Sequence, residues 1–190
     1  EDDYDSEFRF LGRPLSSLQG LDQQNRVIYI GTFSKVLAPA LRVAYLVVPA
    51  ELVDAFTTAR SLLDRQPPLV IQEVLARYMD SGGLGRHIRR MREVYAERQA
   101  ALLESARETL SGALDVRPCD TGMQLVAELS ASADDVELSR RAAAMDLDVP
   151  ALSPYYRRAN PPAGLLLGYA AFTPREIRAG IKKLARVLEK

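Results

Sequence analysis

The groups best suited to chemistry lie within the first 45 residues. Two adjacent carboxylates and a phenol, Asp2, Asp3 and Tyr4, are followed by Lys35 in the run Gly31-Thr32-Phe33-Ser34-Lys35, and Arg42 stands seven residues beyond the lysine. A lysine amine forms an imine with an aldehyde, and a carboxylate keeps a pyridine nitrogen protonated so that the ring accepts electrons. A phenol hydrogen-bonds a ring phenolic oxygen, and an arginine clamps a phosphate bidentately. These are the needs of one cofactor, pyridoxal 5'-phosphate (PLP). The hydroxyls of Thr32 and Ser34 are further candidates for its phosphate.

Competing readings of the same residues are weaker. Ser34, not glycine, precedes Lys35, so this is no P-loop lysine, and the acidic run Glu1 to Glu7 lacks the glycine of a calcium-binding EF-hand loop. His87 opens the basic stretch Arg86 to Arg92 and reads as a solvated group; it is the sole histidine, so no His-based metal site is expected. Cys119 sits beside Asp120 without a nucleophile constellation. Tyr155 and Tyr156 either line a ligand mouth or simply pack.

The elements that must position these groups alternate in type. Arg26 to Ile30 and Leu41 to Val48 are apolar runs suited to buried strands, with the lysine in a loop between them. Helices are expected at Ala50 to Asp64, Leu69 to Asp80 and, in a long amphipathic segment ended by Gly112, through Ile88, Met91, Tyr95, Leu102, Ala106 and Leu110. Strands follow at Leu114 to Arg117, Met123 to Leu129 and Gly164 to Ala170. Helices follow at Ala133 to Met145 and Pro174 to Leu188, the last with Ile177, Ile181, Leu184 and Leu188 on one face. Pro150 to Pro162 has no periodicity and reads as a loop.

Composition bounds the rest. The 190 residues suffice for one core and a smaller lobe. Twenty-five basic residues balance twenty-five acidic ones, so no global field favours nucleic acid or an anionic membrane. The longest apolar runs fall far short of the roughly 20 residues that span a bilayer. A lone cysteine and the lack of a leader point to the cytoplasm. Because chemistry-bearing residues begin at Glu1, we expect a piece of a longer polypeptide whose upstream part completes the site, with PLP binding weak or absent in the piece alone.

Residues Glu1 to Arg9, Pro14 to Asp22 and Val27 to Tyr45 closely resemble the aminotransferase-like domain of MocR-type regulators, a branch of the GntR transcription factors. The resemblance implies an α/β fold: part of a fold-type I PLP-dependent aminotransferase large domain, residues 1–85, then a long connecting helix and a smaller α+β C-terminal domain, residues 86–190. It implies Asp2 for the pyridine nitrogen, Tyr4 for the phenolic oxygen, Lys35 for the Schiff base and Arg42 for the phosphate, with Thr32 and Ser34 beside them. Compared with ordinary class I aminotransferases, one residue is missing between Asp2 and Tyr4 and one between Lys35 and Arg42, which favours the regulator branch. Those enzymes carry a carboxylate-binding arginine on the strand that corresponds to Gly164 to Tyr169, where this sequence has leucines. Arg157 or Arg158 in the preceding loop would then take the ligand carboxylate. The implied partners are a small amine or amino-acid ligand, a second copy in a homodimer, and DNA through a winged-helix domain outside this chain. A stand-alone PLP-dependent aminotransferase and a remnant that no longer binds PLP are the alternatives.

Overall fold

The computed structural model describes residues 1–65, 68–130 and 133–189, without the side chain of Asp64. The chain divides into two compact units, Glu1–Met91 and Arg92–Lys190.

The first unit holds strand β1 (Asp2–Asp3), helix α1 (Leu18–Leu21), strand β2 (Tyr29–Thr32), helix α2 (Phe33–Val36), strand β3 (Ala44–Val47), helices α3 (Val53–Asp64) and α4 (Leu69–Asp80), and the start of α5 (Gly83–Thr109). The sheet order is β1-β2-β3. β1 runs parallel to β2, with Asp2 opposite Ile30 and Asp3 opposite Gly31, while β3 returns antiparallel with Ala44 opposite Thr32. The Glu1 carboxylate fixes α1 beside the sheet by accepting from the amides of Leu18 (3.0 Å) and Gln19 (2.9 Å), two orphan donors of that helix's first turn.

Three expectations need correction here. The strands start three residues later than the apolar runs, and all four residues of β3 are exposed, Leu46 at 48%. Burial needs a covering layer as well as an apolar sequence, and the described residues of this unit leave β3 uncovered. The lysine run is a one-turn helix and not a loop, because the Thr32 hydroxyl accepts from the Ser34 amide (3.1 Å) in the N-cap position. His87 is half-buried, and its Nε2 donates to the Val36 carbonyl (2.9 Å); one of the carbonyls at the end of α2 gives it a partner that solvent would otherwise supply.

The second unit contains the rest of α5, then β4 (Asp115–Val116), β5 (Gln124–Glu128), α6 (Asp135–Ala143), β6 (Gly164–Gly168) and α7 (Pro174–Leu188). Its sheet is antiparallel, β4-β5-β6. β5 alternates exposed and buried residues with the two-residue period of a half-buried strand, Leu125 and Ala127 facing inward. α7 begins with a capping box of Thr173 and Glu176 and with Pro174 in its first turn. It buries Ile177, Ile181, Leu184 and Val187; the fourth inward position is Val187, three residues after Leu184, while Leu188 is only half-buried. Leu184 is 1% exposed. Leu184→Ala should therefore cost about 3 kcal/mol, the sum of lost transfer energy and a cavity, read as a lowered urea midpoint.

A buried polar network ties α5 to this sheet. Gln99 donates to the Cys119 carbonyl (3.0 Å) and the Tyr169 hydroxyl (3.2 Å), and that hydroxyl donates to the Gly122 carbonyl (2.8 Å). No helix among the described residues is long and apolar enough to cross a membrane.

Candidate functional site

The first unit gathers six of the candidate residues at one end of its sheet. Asp2 lies on β1 and Tyr4 directly follows it; Thr32 closes β2, Ser34 and Lys35 form the next turn, and Arg42 enters β3. This is the carboxyl end of the two parallel strands, the edge of α/β sheets where ligands bind.

The two neighbouring carboxylates have different surroundings because successive strand residues face opposite sides. Asp3 shares a face with Gly31 and Tyr29. Its carboxylate accepts from the Tyr29 hydroxyl (2.8 Å), the Ser6 hydroxyl (2.7 Å) and the Ser6 amide (3.2 Å). Burial pushes the Asp3 carboxyl up, but these bonds outweigh it and hold it below the ordinary carboxylate value. Burial, followed by the bonds to Asp3 and Tyr45, pushes the Tyr29 phenol up. Asp2 lies on the other side of the strand, exposed, with no side-chain hydrogen bond or ion pair among the described residues. The same holds for Tyr4, which is 44% exposed.

An aromatic wall sets the backbone before the lysine. The Tyr45 ring stands 6.0 Å from Tyr29 and 5.6 Å from Phe33, tilted against both. It covers Gly31 so closely that a Cβ there would lie 2.3 Å from Tyr45 Cζ, which accounts for glycine at the last inward position of β2. Lys35 itself is exposed. Its charge acts on Asp5, whose carboxyl is raised first by burial and then by Asp3, with Lys35 opposing both.

The hydroxyls also differ. Thr32 is engaged in capping α2, while Ser34 Oγ has no partner among the described residues. Arg42 occupies the left-handed region, φ 51° and ψ 37°, uncommon for a residue with a Cβ. Such outliers cluster at functional sites, since the surroundings must over-determine them.

Arg157 and Arg158 belong to the second unit, in the segment between the short 3-10 turn Ser153–Tyr155 and β6. Arg158 stacks 5.2 Å over the Tyr156 ring. Arg157 makes no side-chain hydrogen bond or ion pair among the described residues. Sequence reasoning missed Asp135, a carboxylate 3% exposed that accepts from the Ser153 amide (2.8 Å), the Ser153 hydroxyl (2.6 Å) and the Gly164 amide (3.0 Å). Only its place in the first turn of an amphipathic helix was visible, and that reads as an ordinary acidic start.

The family model described as aminotransferase class I and II matches residues 6–184. The probable rhizopine catabolism regulatory protein MocR of Rhizobium meliloti is 42% identical over 97% of this chain, which covers 37% of that protein. The uncharacterized HTH-type transcriptional regulator YhdI of Bacillus subtilis is 38% identical over 97% of the chain, 39% of its own length. Among solved structures, kynurenine aminotransferase of Pyrococcus horikoshii, in complex with PMP, superposes with a TM-score of 0.90 at 29% identity, over 100% of this chain and 47% of that one. The chain thus spans about two fifths of the length of these regulators and about half of the enzyme.

Proposed function

The chain belongs to the class I and II aminotransferase family, and from that premise we propose that it binds PLP through Lys35 and serves as the effector-sensing part of a GntR/MocR-type transcription regulator. Lys35 would hold the cofactor covalently through its amine, and a small amine or amino acid would take its place there. PLP, when bound, supplies an electron-accepting ring joined to an aldehyde.

The donor set fits that group. Asp2 has a carboxylate uncommitted among the described residues and holds the proton on the ring nitrogen. Tyr4 donates to the phenolic oxygen, and Ser34 Oγ and the Arg42 guanidinium take the phosphate. Thr32 acts by holding the turn that carries Ser34 and Lys35. Arg157, whose guanidinium has no hydrogen bond or ion pair among the described residues, takes the ligand carboxylate. A second copy of the chain covers the exposed apolar side chains of α3 and α4, among them Leu62, Leu63 and Val70. DNA is bound by a winged-helix domain outside residues 1–190.

One observation carries the sensory reading over turnover. β6, the strand on which the enzymes of this fold keep a carboxylate-binding arginine, is Gly164-Leu165-Leu166-Leu167-Gly168 with Leu165 and Leu167 buried. The close superposition on kynurenine aminotransferase favours the alternative, a stand-alone PLP-dependent aminotransferase. The complete polypeptide separates the two. In the presence of PLP, an amine ligand should change its affinity for its own promoter DNA, Lys35→Ala should be blind to the ligand, and no amino acid should be transaminated over many turnovers. Multiple turnovers without any ligand effect on DNA binding would establish the enzyme instead.

A further inference from the structure

Eleven residues, Ser153 to Ala163, connect the segment ending at Leu152 to β6, and they carry both Arg157 and Arg158. The neck of this loop is closed by backbone pairing: Ala151 bridges Leu165, Leu152 donates to the Gly164 carbonyl (2.9 Å), and Leu166 donates to the Pro150 carbonyl (2.8 Å). Within the loop, backbone bonds hold its first turn, where Tyr155 and Tyr156 donate to Leu152 and Ser153, and its last residue, where the Ala163 carbonyl accepts from Leu129 (3.0 Å). From Arg157 to Pro162 no backbone pairing fixes the chain among the described residues, and Pro161 and Pro162 have no amide to offer.

Asp135 reaches both sides of the neck from a different element. One carboxylate oxygen takes the Ser153 amide and the Gly164 amide, and the other takes the Ser153 hydroxyl. The first residue of the arginine loop and the residue that directly follows it, Gly164 of β6, are therefore tied to one buried anion at the start of α6. A neutral side chain in its place leaves buried donors competing for fewer acceptors, and the turn that starts at Ser153 is then held to the neck by backbone pairing alone.

We propose that Asp135 is the positioning residue of the ligand-carboxylate site: by clamping Ser153 and Gly164 it sets the path of the loop that presents Arg157. This inference rests on the reading of Arg157 given above. Asp135 does not touch the ligand; it acts through the loop. Its loss consequently weakens ligands that have a carboxylate and spares those that do not, whereas a residue that merely supports the fold would affect both alike.

The test uses the complete polypeptide and the variants Asp135→Asn and Ser153→Ala; the second removes only the hydroxyl bond and serves if the first fails to fold. Without PLP or ligand, hydrogen exchange at Ser153, Tyr155, Tyr156 and Gly164 should accelerate in the variant, with the protection of β5, the rest of β6 and α7 unchanged. With PLP bound, titration with alanine and with ethylamine compares one amine with and without a carboxylate. Affinity for alanine should fall by about tenfold or more, as expected when a binding group is displaced by a fraction of its own reach, and affinity for ethylamine should hold. Unchanged loop exchange, or an equal fall for both probes, would overturn the proposal. Failure of the unmodified protein to take up PLP would instead overturn the cofactor reading, and the exchange result would still decide whether Asp135 clamps the loop.

Discussion

Replacing Arg42 by glycine should weaken PLP binding to the complete protein by about 10- to 100-fold while leaving its unfolding midpoint unchanged or slightly raised. Arg42 sits at φ 51°, and the left-handed conformation costs a residue with a Cβ about 1–2 kcal/mol. Glycine removes that cost and adds back about 0.5–1 kcal/mol of unfolded-state entropy, so the two nearly cancel. The guanidinium makes no hydrogen bond or ion pair among the described residues, so truncation sacrifices no internal contact. A charge-assisted bond to a phosphate is worth about 1.5–3 kcal/mol, which is the affinity loss stated. Arg42→Lys, which keeps the charge but not the bidentate fork, should fall between the two. Affinity by equilibrium dialysis and stability by urea unfolding check the pair. If stability and affinity fell together, Arg42 would be a structural residue.

Asp135→Ala should destabilise the protein about as much as Leu184→Ala. It strands the Ser153 amide, the Ser153 hydroxyl and the Gly164 amide in a neck whose anion is 3% exposed, at a cost of about 3 kcal/mol near neutral pH. The cost also has a defined pH dependence. Burial raises the Asp135 carboxyl, but the bonds from Ser153 and Gly164 together outweigh it, so the folded value lies below the ordinary 3.8. A depressed carboxyl contributes stability above its unfolded value and loses it as pH falls through the folded one. The gap between the unmodified protein and Asp135→Ala should accordingly be full at neutral pH and shrink as pH falls below about 4. Urea midpoints measured at pH 7 and at successively lower pH decide it, and a gap that did not narrow would show that the carboxylate charge contributes nothing.

These residues show where sequence is informative. α4 and α7 fall on the expected residues 69–80 and 174–188, because helical periodicity between Pro68 and Gly82, or after Thr173-Pro174, is a local signal. The turn carrying Lys35 escaped it, since four residues are too few to show a period and its helical form depends on one hydroxyl of Thr32. Exposure of β3 escaped it too, because an apolar run says nothing about which layer covers it. The contrast between Asp2 and Asp3 depends on which face of β1 each occupies, and Asp3 finds Tyr29 only through strand register, 26 residues away. Asp135 meets partners 18 and 29 residues away for the same reason. His87, expected in solvent, reaches Val36 across 51 residues. Residue types and spacing thus suggested the chemistry, while the groups that hold those residues in place become visible only in three dimensions.

Lys35 is proposed as the covalent anchor of PLP. Incubating the complete polypeptide with PLP, reducing with borohydride and mapping the peptides by mass spectrometry tests it directly. One stoichiometric phosphopyridoxyl group is expected on Lys35, and none in Lys35→Ala. A label scattered over surface lysines, or one that persists in the variant, would contradict it.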